Sequence, residues 1–561
     1  MSDLENHGYD VVIVGYGPVG AIAANLLGQY GISTAVIERD KIIYNLPRAI
    51  VVDDEVMRLF QCIALIDEIL PLTKAIKGEQ FLSSKRKVLA TATIASDKNG
   101  YAATNTFYQP QLEAVLRKGV ERFPCVRIYS GYEVCGLLQD EAGATVMMQS
   151  TDKNMKQLRA RYVLGCDGAR SITRTEAGIR LLDLHSHKAW LVIDALLKDG
   201  EQELETQFVQ QYCNPLRPET YVPSVGRHRR WEFMLTEGES KEEMTRVDKV
   251  GSLLSSWIDP SRLEIVRAAV YTFHALMAQE WSKGRLFLLG DAAHQMPPFI
   301  GQGMCTGIRD AHNLCWKIAL VLRGHAHPAI LASYEQERVP HAYAIISTAV
   351  DFGKIIQARQ PIAAIRDSIL PLLARLPGAF SQSLPPLSSG LFIHTPANEK
   401  QPELKKLPLL GTISRRRERK LAQGILFPQP QVRTTSGSQV RLDEILGQGF
   451  AIVGLNVNPY ACLDSETLIL WERLSTRFVR VNSPESSGKQ TARINTPQVV
   501  CVEDSEDILT HWFAHRPGTI AVVRPDRYVF GIFTPSTLHI ATDRLHMLLC
   551  PSKVSVQREK R

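Results

Sequence analysis

The chain has 561 residues, of which 45% are hydrophobic and 22% are charged. This length is roughly three to four times a ~150-residue domain, which excludes a single compact core, and the near-average composition excludes a disordered, collagen-like or disulfide-scaffold protein. The formal net charge of +7 is small for such a length, so charge gives no reason to expect a nucleic-acid partner.

The N-terminus and the cysteines indicate the cellular location of the protein and whether it binds a metal. Residues 1–7 carry acid where a signal peptide carries base, and no stretch reaches ~18 uninterrupted apolar residues. The ten cysteines form no CxxC pair and no zinc-ligand grouping. We therefore expect a cytoplasmic protein with reduced thiols, no membrane partner and no metal.

Residues 10–38 predict a strand, a tight turn, a helix and a second strand. The turn is Gly15-Tyr16-Gly17-Pro18-Val19-Gly20, a GxGxxG pattern, and the apolar residues after it recur at helical spacing. Glu38 ends the second strand, eighteen residues after Gly20. Because the glycines follow a strand and open a helix, the pattern predicts a dinucleotide site.

Each residue of this unit has an expected role. Gly15 makes the turn, Gly17 lets the backbone approach a pyrophosphate, and Gly20 lets helix and sheet pack. The helix that begins at Pro18 favours an anion at its N-terminus, and Glu38 accepts hydrogen bonds from ribose hydroxyls. The motif alone leaves NAD and FAD open, and a purely structural turn is the alternative.

Two further strands are predicted to end in an acidic residue beside a glycine. The strand at 162–166 ends at Asp167-Gly168, and the strand at 286–289 ends at Gly290-Asp291. Open α/β sheets bind ligands at such carboxyl ends. The second of these strands is followed by a proline- and glycine-rich loop and by a long helix that closes at Arg323-Gly324.

The rest of the chain divides by pattern. Strand-like runs without a nucleotide fingerprint occupy residues 182–281, where a substrate-covering sheet is expected. Seven prolines from Pro371 to Pro408 predict a connector. Beyond it, strands near residues 450, 478 and 519 predict a small α/β domain.

The two acidic strand ends resemble the DG and GD motifs of the FAD-dependent aromatic hydroxylases, the class A flavoprotein monooxygenases. The stretches that carry the resemblance are residues 166–174 and 284–294, with Pro297-Pro298 and Gly301-Gln302-Gly303 downstream. The resemblance implies that the nucleotide is FAD and that Asp291 binds its ribitol chain. It also implies that the backbone N–H groups near Gly303 and Met304 face the flavin, where a helix N-terminus stabilises the anion of the reduced ring.

Further stretches look like the branch of this family that contains 3-(3-hydroxyphenyl)propionate hydroxylase, and the resemblance covers nearly the whole chain. They are Pro47-Arg48-Ala49-Ile50, Asp53-Asp54-Glu55, Tyr108-Gln109-Pro110-Gln111 and the residues 230–234, 307–317 and 334–338. By this resemblance Arg48 lies near the pyrophosphate and Gln111 near the flavin. The chain departs from the branch at residues 298–300 and 304–306, so the identity of the phenolic substrate stays open.

The resemblance implies an α/β fold with a Rossmann-like FAD-binding domain, an interleaved β-sheet substrate domain of the p-hydroxybenzoate hydroxylase type, and a thioredoxin-like C-terminal domain. The FAD-binding domain is predicted at residues 1–185, of which about 75–105 contribute to the substrate domain, and the substrate sheet at 186–283. Residues 284–400 are predicted to return to the FAD-binding domain and to include its long helix and the connector. The thioredoxin-like domain is predicted at 401–561. The predicted cofactor-binding residues are Gly15, Gly17, Pro18, Gly20, Glu38, Arg39, Arg48, Gln111, Asp167, Gly168, Gly290, Asp291, Pro298, Gly301, Gly303 and Met304.

The activity implied is hydroxylation of a phenol, with 3-hydroxyphenylpropionate as the leading candidate. NADH or NADPH, docking transiently, reduces FAD, and a C4a-hydroperoxide carries oxygen from O2 to the ring. Forming phenolate at neutral pH costs about 4 kcal/mol, and the residue that offsets this cost is not identified. The candidate catalytic residues are Pro298, His294 and Asp54, with His294 more readily a support of the flavin loop.

Several alternatives stay open. A flavin epoxidase or halogenase fits the same fold, and so does a redox-inactive binding module that keeps the flavin fold. Four arginines of the substrate segment are candidates for binding a substrate carboxylate, although a structural or surface role is the first interpretation of each. They are Arg217, Arg227, Arg229 and Arg230. A homodimer is also left open.

Overall fold

The computed structural model describes residues 8–93, 99–200, 206–375, 423–484 and 497–549. The chain forms two compact units. The first consists of Met1–Ser96, Tyr101–His312 and Ala342–Leu387, and the second of Asp97–Gly100, Asn313–His341 and Ser388–Arg561.

The strands and helices up to residue 375 follow in chain order. The strands are β1 (Gly8–Val14), β2 (Thr34–Glu38), β3 (Val51–Asp53), β4 (Thr73–Ala75), β5 (Gly78–Leu82), β6 (Val88–Thr93), β7 (Thr104–Phe107), β8 (Val126–Ser130), β9 (Tyr132–Gln139), β10 (Ala144–Ser150), β11 (Met155–Gly165), β12 (Leu181–Leu197), β13 (Phe208–Tyr212), β14 (Glu219–Pro223), β15 (His228–Met234), β16 (Leu263–Ala278), β17 (Ser282–Lys283), β18 (Leu286–Leu288) and β19 (His294–Gln295). The helices are α1 (Pro18–Gln29), α2 (Asp54–Cys62), α3 (Ile66–Ile69), α4 (Gln109–Val120), α5 (Ile172–Glu176), α6 (Lys241–Met244), α7 (Val247–Leu254), α8 (Gly303–Leu322), α9 (Ala332–Ile356) and α10 (Ile362–Leu373).

One sheet of the first unit contains the nucleotide-type strands. Its order is β17-β18-β11-β1-β2-β8, with β10 and β9 continuing from β11. The strands β18, β11, β1, β2 and β8 pair in parallel, and the buried residues of β1 form the continuous apolar run expected of a parallel strand covered on both faces. The predicted strands at 10–14, 34–38, 162–166 and 286–289 are therefore confirmed as neighbours in one sheet.

The second sheet has the order β19-β16-β12-β15-β14-β13-β5-β6. One of its faces is covered by helices, because Trp231 and Phe233 pack in a cluster with Met244 of α6 and Val250 of α7. The opposite face carries Phe81, Trp190 and Met234, which pack in a cluster with Phe299 from the loop before α8 and with Ile356 of α9. We call this second surface the Phe299 face.

A third, small sheet of order β3-β7-β4 belongs to the same unit. The helix α10 includes Pro371 and ends at Leu373, so it extends two residues past the proline at which the connector is predicted to begin. The predicted connector from residue 376 onwards lies outside the described residues.

The second unit contains a mixed sheet of order β21-β20-β24-β23-β22-β25-β26. Its strands are β20 (Gln431–Thr434), β21 (Gln439–Arg441), β22 (Ala451–Leu455), β23 (Arg477–Asn482), β24 (Val499–Glu503), β25 (Ile520–Val523) and β26 (Val529–Phe533), and its further helices are α11 (Leu442–Leu446), α12 (Ser465–Arg473), α13 (Ile508–Ala514) and α14 (His539–Leu549). The three predicted strands are confirmed as β22, β23 and β25. The thioredoxin-like detail stays a prediction.

A buried ionic network ties the helices of this unit to its sheet. The carboxylate of Glu337 on α9 binds Lys317 of α8 at 2.9 Å and Arg524 after β25 at 2.9 Å. Arg524 also binds Asp526 at 2.5 Å. The two cations hold the pKa of Glu337 down at about 2 despite its burial. The network belongs to packing, because its side chains are fully buried.

Candidate functional site

Three predicted loops meet at one edge of the first sheet. The strands β1, β11 and β18 are parallel neighbours, so their carboxyl ends lie side by side. The N–H of Cys166 donates to the carbonyl of Val14 at 2.8 Å, and the N–H of Leu289 donates to the carbonyl of Gly165 at 3.0 Å. The glycine turn, the Asp167 loop and the Asp291 loop therefore form one crevice, which we call the cofactor crevice.

Gly15 and Gly20 are required by the protein's own packing. Gly15 has φ +97, and a Cβ added there lies 2.5 Å from the carbonyl oxygen of Cys166. A Cβ added at Gly20 lies 2.0 Å from the carbonyl oxygen of Gly15. Both contacts are below any real Cβ distance, so the turn and α1 pack this closely only with glycine.

Gly17 differs, because nothing lies within 4 Å of a Cβ added there. It is the N-cap residue of α1, it has ordinary backbone angles, and no side chain caps the helix. Pro18 occupies the first helical position. The chain thus leaves space and unsatisfied N–H groups at a helix N-terminus, which fits a pyrophosphate.

Asp167 offers a second fit to a nucleotide. Its Oδ2 accepts hydrogen bonds from the N–H and the hydroxyl of Thr173, both at 2.9 Å. Its Oδ1 is buried and has no hydrogen-bond partner among the described residues. A buried carboxylate oxygen without a donor fits a hydroxyl-bearing ligand such as ribose or ribitol. Gly168 beside it has φ +77, which makes the tight turn.

The Gly290-Asp291 turn is held against α8. Asp310 Oδ2 accepts the N–H of Gly290 at 3.0 Å and pairs with His294 Nε2 at 2.8 Å. Desolvation raises the pKa of Asp291, and the charges of His294 and Arg48 oppose this. The side chain of Asp291 is exposed, so its carboxyl oxygens are available to accept hydrogen bonds from ligand hydroxyls.

His294 supports this turn. Its side chain is completely buried, and its ring stacks on Trp281 with centroids 5.0 Å apart. With Nε2 bound to Asp310, the ring is held in place behind the Gly290 turn. This geometry makes His294 a positioning residue rather than a group that meets a substrate.

The loop before α8 is fixed by Arg309. Its guanidinium binds Asp53 at 2.6 Å, Glu55 at 2.7 Å and the amide oxygen of Gln302 at 3.0 Å. These contacts join the loop to the start of α2, where Asp54 is the first helical residue and half-buried.

The loop itself carries the remaining predicted residues of this region. Pro298 opens a 3-10 turn, and Gly301, with φ +63, follows it. Gly303 and Met304 open α8, so their N–H groups lack helical partners.

The segment around Arg48 is held by a residue that the sequence did not single out. Gln109 Oε1 accepts the N–H groups of Arg48 at 2.9 Å and Ala49 at 2.6 Å. The predicted Gln111 is exposed on the first turn of α4. Gln109 is buried, and burial is the property that distinguishes it from Gln111. The side chain of Arg48 is exposed and lies over the ring of Tyr44 at 4.9 Å.

Glu38 ends β2 beside the glycine turn. Its carboxylate accepts the N–H of Tyr16 at 2.7 Å and the N–H of Asp40 at 3.0 Å. Glu38 therefore holds the backbone of the glycine turn. Arg39 is exposed and lies 3.7 Å from the carboxylate of Asp40.

Two buried arginines of the second sheet hold the same segment from the other side. Arg230 donates to the carbonyl groups of Pro47 at 3.0 Å and Arg48 at 2.8 Å. Arg267 donates to Pro47 as well. Asp194 binds both guanidinium groups, at 2.7 Å and 2.5 Å. Arg230 is thus a structural cation, as its first reading from the sequence suggests.

The other three arginines of the substrate segment also have partners within the protein. Arg217 pairs with Glu239 at 2.6 Å and Arg227 with Asp199 at 2.5 Å. Arg229 is buried and donates to the carbonyl of Gly226 at 2.8 Å.

Comparisons with known proteins agree with this geometry. The family model described as FAD binding domain matches residues 8–349, and the HcaD C-terminal domain model matches residues 424–548. A 3-(3-hydroxy-phenyl)propionate/3-hydroxycinnamic acid hydroxylase of Klebsiella pneumoniae is 35% identical over 95% of this chain and 93% of its own length. Its counterpart of Escherichia coli K12 is 34% identical, with coverage of 96% and 94%.

Solved structures show the same fold. The flavin-dependent monooxygenase PieE, solved with FAD and substrate, superposes with a TM-score of 0.77 at 19% identity, covering 97% of this chain and 99% of its own. Aklavinone-11 hydroxylase, solved with FAD and aklavinone, has a TM-score of 0.73 at 21% identity, with coverage of 98% and 100%. Within the described residues, none of the helices combines the length and apolar composition needed to cross a bilayer.

Proposed function

This chain belongs to the FAD binding domain family, and on that premise we propose that it is an FAD-dependent monooxygenase that hydroxylates a phenolic compound. NADH or NADPH is the reductant and O2 the oxygen source. The observation that carries the proposal is the meeting of three loops at the carboxyl ends of β1, β11 and β18, where an open helix N-terminus and an unpartnered carboxylate oxygen face one crevice.

The residues of the crevice divide the work of holding FAD. The space at Gly17 and the free N–H groups of α1 receive the pyrophosphate, while Asp167 and Asp291 accept hydrogen bonds from ligand hydroxyls. The N–H groups at the start of α8 stabilise negative charge on the reduced ring. When bound, FAD takes electrons from the nicotinamide and activates O2 for transfer of one oxygen atom.

The substrate class follows from the relatives. Two of them carry names that specify 3-(3-hydroxy-phenyl)propionate and 3-hydroxycinnamic acid. We propose a substrate of this type, a phenol with a short acidic side chain, bound against the Phe299 face of the second sheet. That face is opposite the one that packs against α6 and α7, and it meets the loop that opens α8.

The use of NAD(P)H as reductant indicates where in the cell the enzyme works. An enzyme that consumes NAD(P)H works where this reductant is held, so we propose a cytoplasmic location. All nine cysteines in the described part of the chain are free, which is the usual state in the cytosol. A homodimer stays a prediction.

A reconstitution experiment tests the proposal. The purified protein is expected to bind FAD and turn yellow, to oxidise NADH or NADPH faster when 3-(3-hydroxyphenyl)propionate is added, and to release a product with one more hydroxyl group. Protein that binds no FAD, or that oxidises NAD(P)H without hydroxylating any phenol of a broad panel, contradicts the proposal.

A further inference from the structure

The Phe299 face carries an unusual carboxyl group on β5. Glu79 belongs to that strand and is only partly accessible, and its Oε2 is buried with no hydrogen-bond partner among the described residues. Buried carboxyl groups are normally paired or hydrogen-bonded. A buried carboxyl oxygen without a partner therefore calls for an explanation, and contact with a bound ligand is one.

The register of the sheet shows which way Glu79 points. Side chains two residues apart on a strand share a face, so Glu79 is on the same face as Phe81, which packs in one cluster with Phe299. Its cross-strand partner Val209 packs with Ile50. Ile50 closes the segment that carries Arg48.

Glu79 thus sits between two landmarks of the proposed site. On one side is the loop that opens α8, marked by Phe299, whose ring lies 5.5 Å from that of Trp190. On the other side is the segment of residues 47–50, which Arg230 and Arg267 hold. A substrate ring bound between these landmarks would lie beside a carboxyl oxygen that has no hydrogen-bond partner among the described residues.

We propose that Glu79 is the proton acceptor for the hydroxyl group of the aromatic substrate. This inference rests on the proposed function and identifies the residue that the sequence did not reveal. When substrate binds, the phenol O–H bond breaks and its proton moves to Oε2 of Glu79, with no change of oxidation state. After oxygen transfer the ring carbon loses its proton to water, and Glu79 returns the stored proton to the product oxygen.

Burial suits Glu79 to this exchange. Desolvation raises the pKa of Glu79 to about 8. A phenol has a pKa of about 10, so proton transfer to such a carboxylate is unfavourable by only about 100-fold, against more than 10⁵-fold for an ordinary carboxylate. General bases work best when their pKa lies near the working pH.

Among the described residues, no ion pair to the carboxyl of Glu79 is formed, and burial is the one cause of its raised pKa. On the neighbouring strands its facing residues are Ala92 and Val209. The titratable groups of the same face are committed elsewhere, because Arg230 is bound to Asp194 and lies 4.0 Å from Glu232.

The charged side chains of the helices beside this face have partners of their own. Lys354 and Asp351 of α9 form an exposed pair. Arg366 of α10 donates to the carbonyl of Cys213 and pairs with Asp367. Lys77, just before β5, is exposed.

The test compares Glu79→Gln with Glu219→Gln in the FAD-loaded enzyme. Glu219 is a matched control, since burial also raises its pKa, but it lies on the helix-covered face and accepts the indole N–H of Trp257 at 2.7 Å. The measurements are kcat/KM against pH with 3-(3-hydroxyphenyl)propionate, the ultraviolet difference spectrum that distinguishes bound phenol from phenolate, and the FAD content of each variant.

The inference expects Glu79→Gln to bind FAD normally and to lose about 100-fold or more in kcat/KM. The acidic limb of its pH profile moves from near pH 8 towards the phenol's own pKa of about 10, and the bound phenol stays protonated at pH 8.5. Glu219→Gln keeps the wild-type profile.

Three results overturn the assignment. Glu79→Gln with a wild-type pH profile excludes the base, while the proposed function stands if the wild type forms product. Equal losses in both variants indicate damage to the sheet and not a lost base. A wild-type enzyme that hydroxylates none of the phenols removes the proposed function and, with it, the step assigned to Glu79.

Discussion

The cofactor crevice and the Phe299 face prepare for their ligands with different parts of the chain. The cofactor crevice is formed mainly by glycines and main-chain N–H groups. Glycine is required at positions 15 and 20 because a Cβ there would clash with the protein's own backbone. On the Phe299 face, side chains from strands distant in sequence meet, and a single carboxyl oxygen of Glu79 is left without a partner. The cofactor crevice is therefore shaped mainly by the backbone, whereas the proposed substrate chemistry on the Phe299 face depends on individual side chains.

This difference predicts that the largest effect follows from disturbing the backbone of the crevice. In Gly20→Val the added Cβ meets the carbonyl oxygen of Gly15 at 2.0 Å, a clash that side-chain movement cannot relieve. We expect loss of FAD and a destabilisation at the upper end of overpacking effects, about 3 kcal/mol or more. FAD content and urea denaturation measure this. A yellow, stable Gly20→Val protein contradicts the packing described here.

The next largest effect is expected where the sheet and the segment of residues 47–50 are joined. Asp194→Asn removes the carboxylate that binds both Arg230 and Arg267, and taking one partner from a buried ion pair typically costs about 3–5 kcal/mol. Asp199→Asn is the matched control, because the Arg227–Asp199 pair is largely exposed and worth at most about 1 kcal/mol. Urea denaturation of both variants tests the contrast, and equal midpoints refute it.

Glu79 predicts an effect of the opposite sign, in which the variant is more stable. Its native pKa of about 8 lies above the unfolded value near 4.5, so the native state binds more protons between these values and stability falls as pH rises through this window. We expect Glu79→Gln to match the wild type in Tm at pH 4.5 and to exceed it at pH 8.5, by a few kcal/mol in stability.

The measurement is thermal unfolding of the apo protein across pH 4.5 to 8.5. A Tm difference that does not depend on pH shows that the carboxyl is not desolvated in the folded chain. The Asp199→Asn variant serves again as control, because it also replaces a carboxyl group, in this case one with an exposed side chain.

The smallest predicted effect separates ligand binding from folding. Gly17→Ala fits the free protein, because nothing lies within 4 Å of the added Cβ, so apo stability changes by less than about 1 kcal/mol. The methyl group takes space into which the pyrophosphate fits, and we expect the Kd for FAD to rise about tenfold, or 1.4 kcal/mol. Titration calorimetry with FAD gives both Kd values, and an unchanged Kd places the pyrophosphate elsewhere.

Much of the crevice could be predicted from sequence because its parts are local. A glycine turn after a strand, an acidic residue at a strand end, and a helix closed by Gly324, which has φ +71, each leave a signature within a few residues. The three strands need only be neighbours for these signatures to meet, and parallel pairing makes them so.

The Phe299 face could not be predicted in the same way. Its strands come from residues 78–93 and 181–278, and their order in the sheet depends on pairing that no local pattern encodes. Glu79 looks like any strand-edge glutamate in the sequence, and Gln109 is distinguished from Gln111 only by burial. His294 was visible as a motif residue, but its stacking on Trp281 and its bond to Asp310 come from tertiary contacts.

The most direct test of the whole account is to run the FAD-loaded enzyme with NAD(P)H and a phenol under isotopically labelled O2 and to weigh the product. The account predicts a hydroxylated product in which the new oxygen atom carries the label. Reduction of O2 to peroxide alone, with every phenol recovered unchanged, or a new oxygen atom that derives from water, would contradict it.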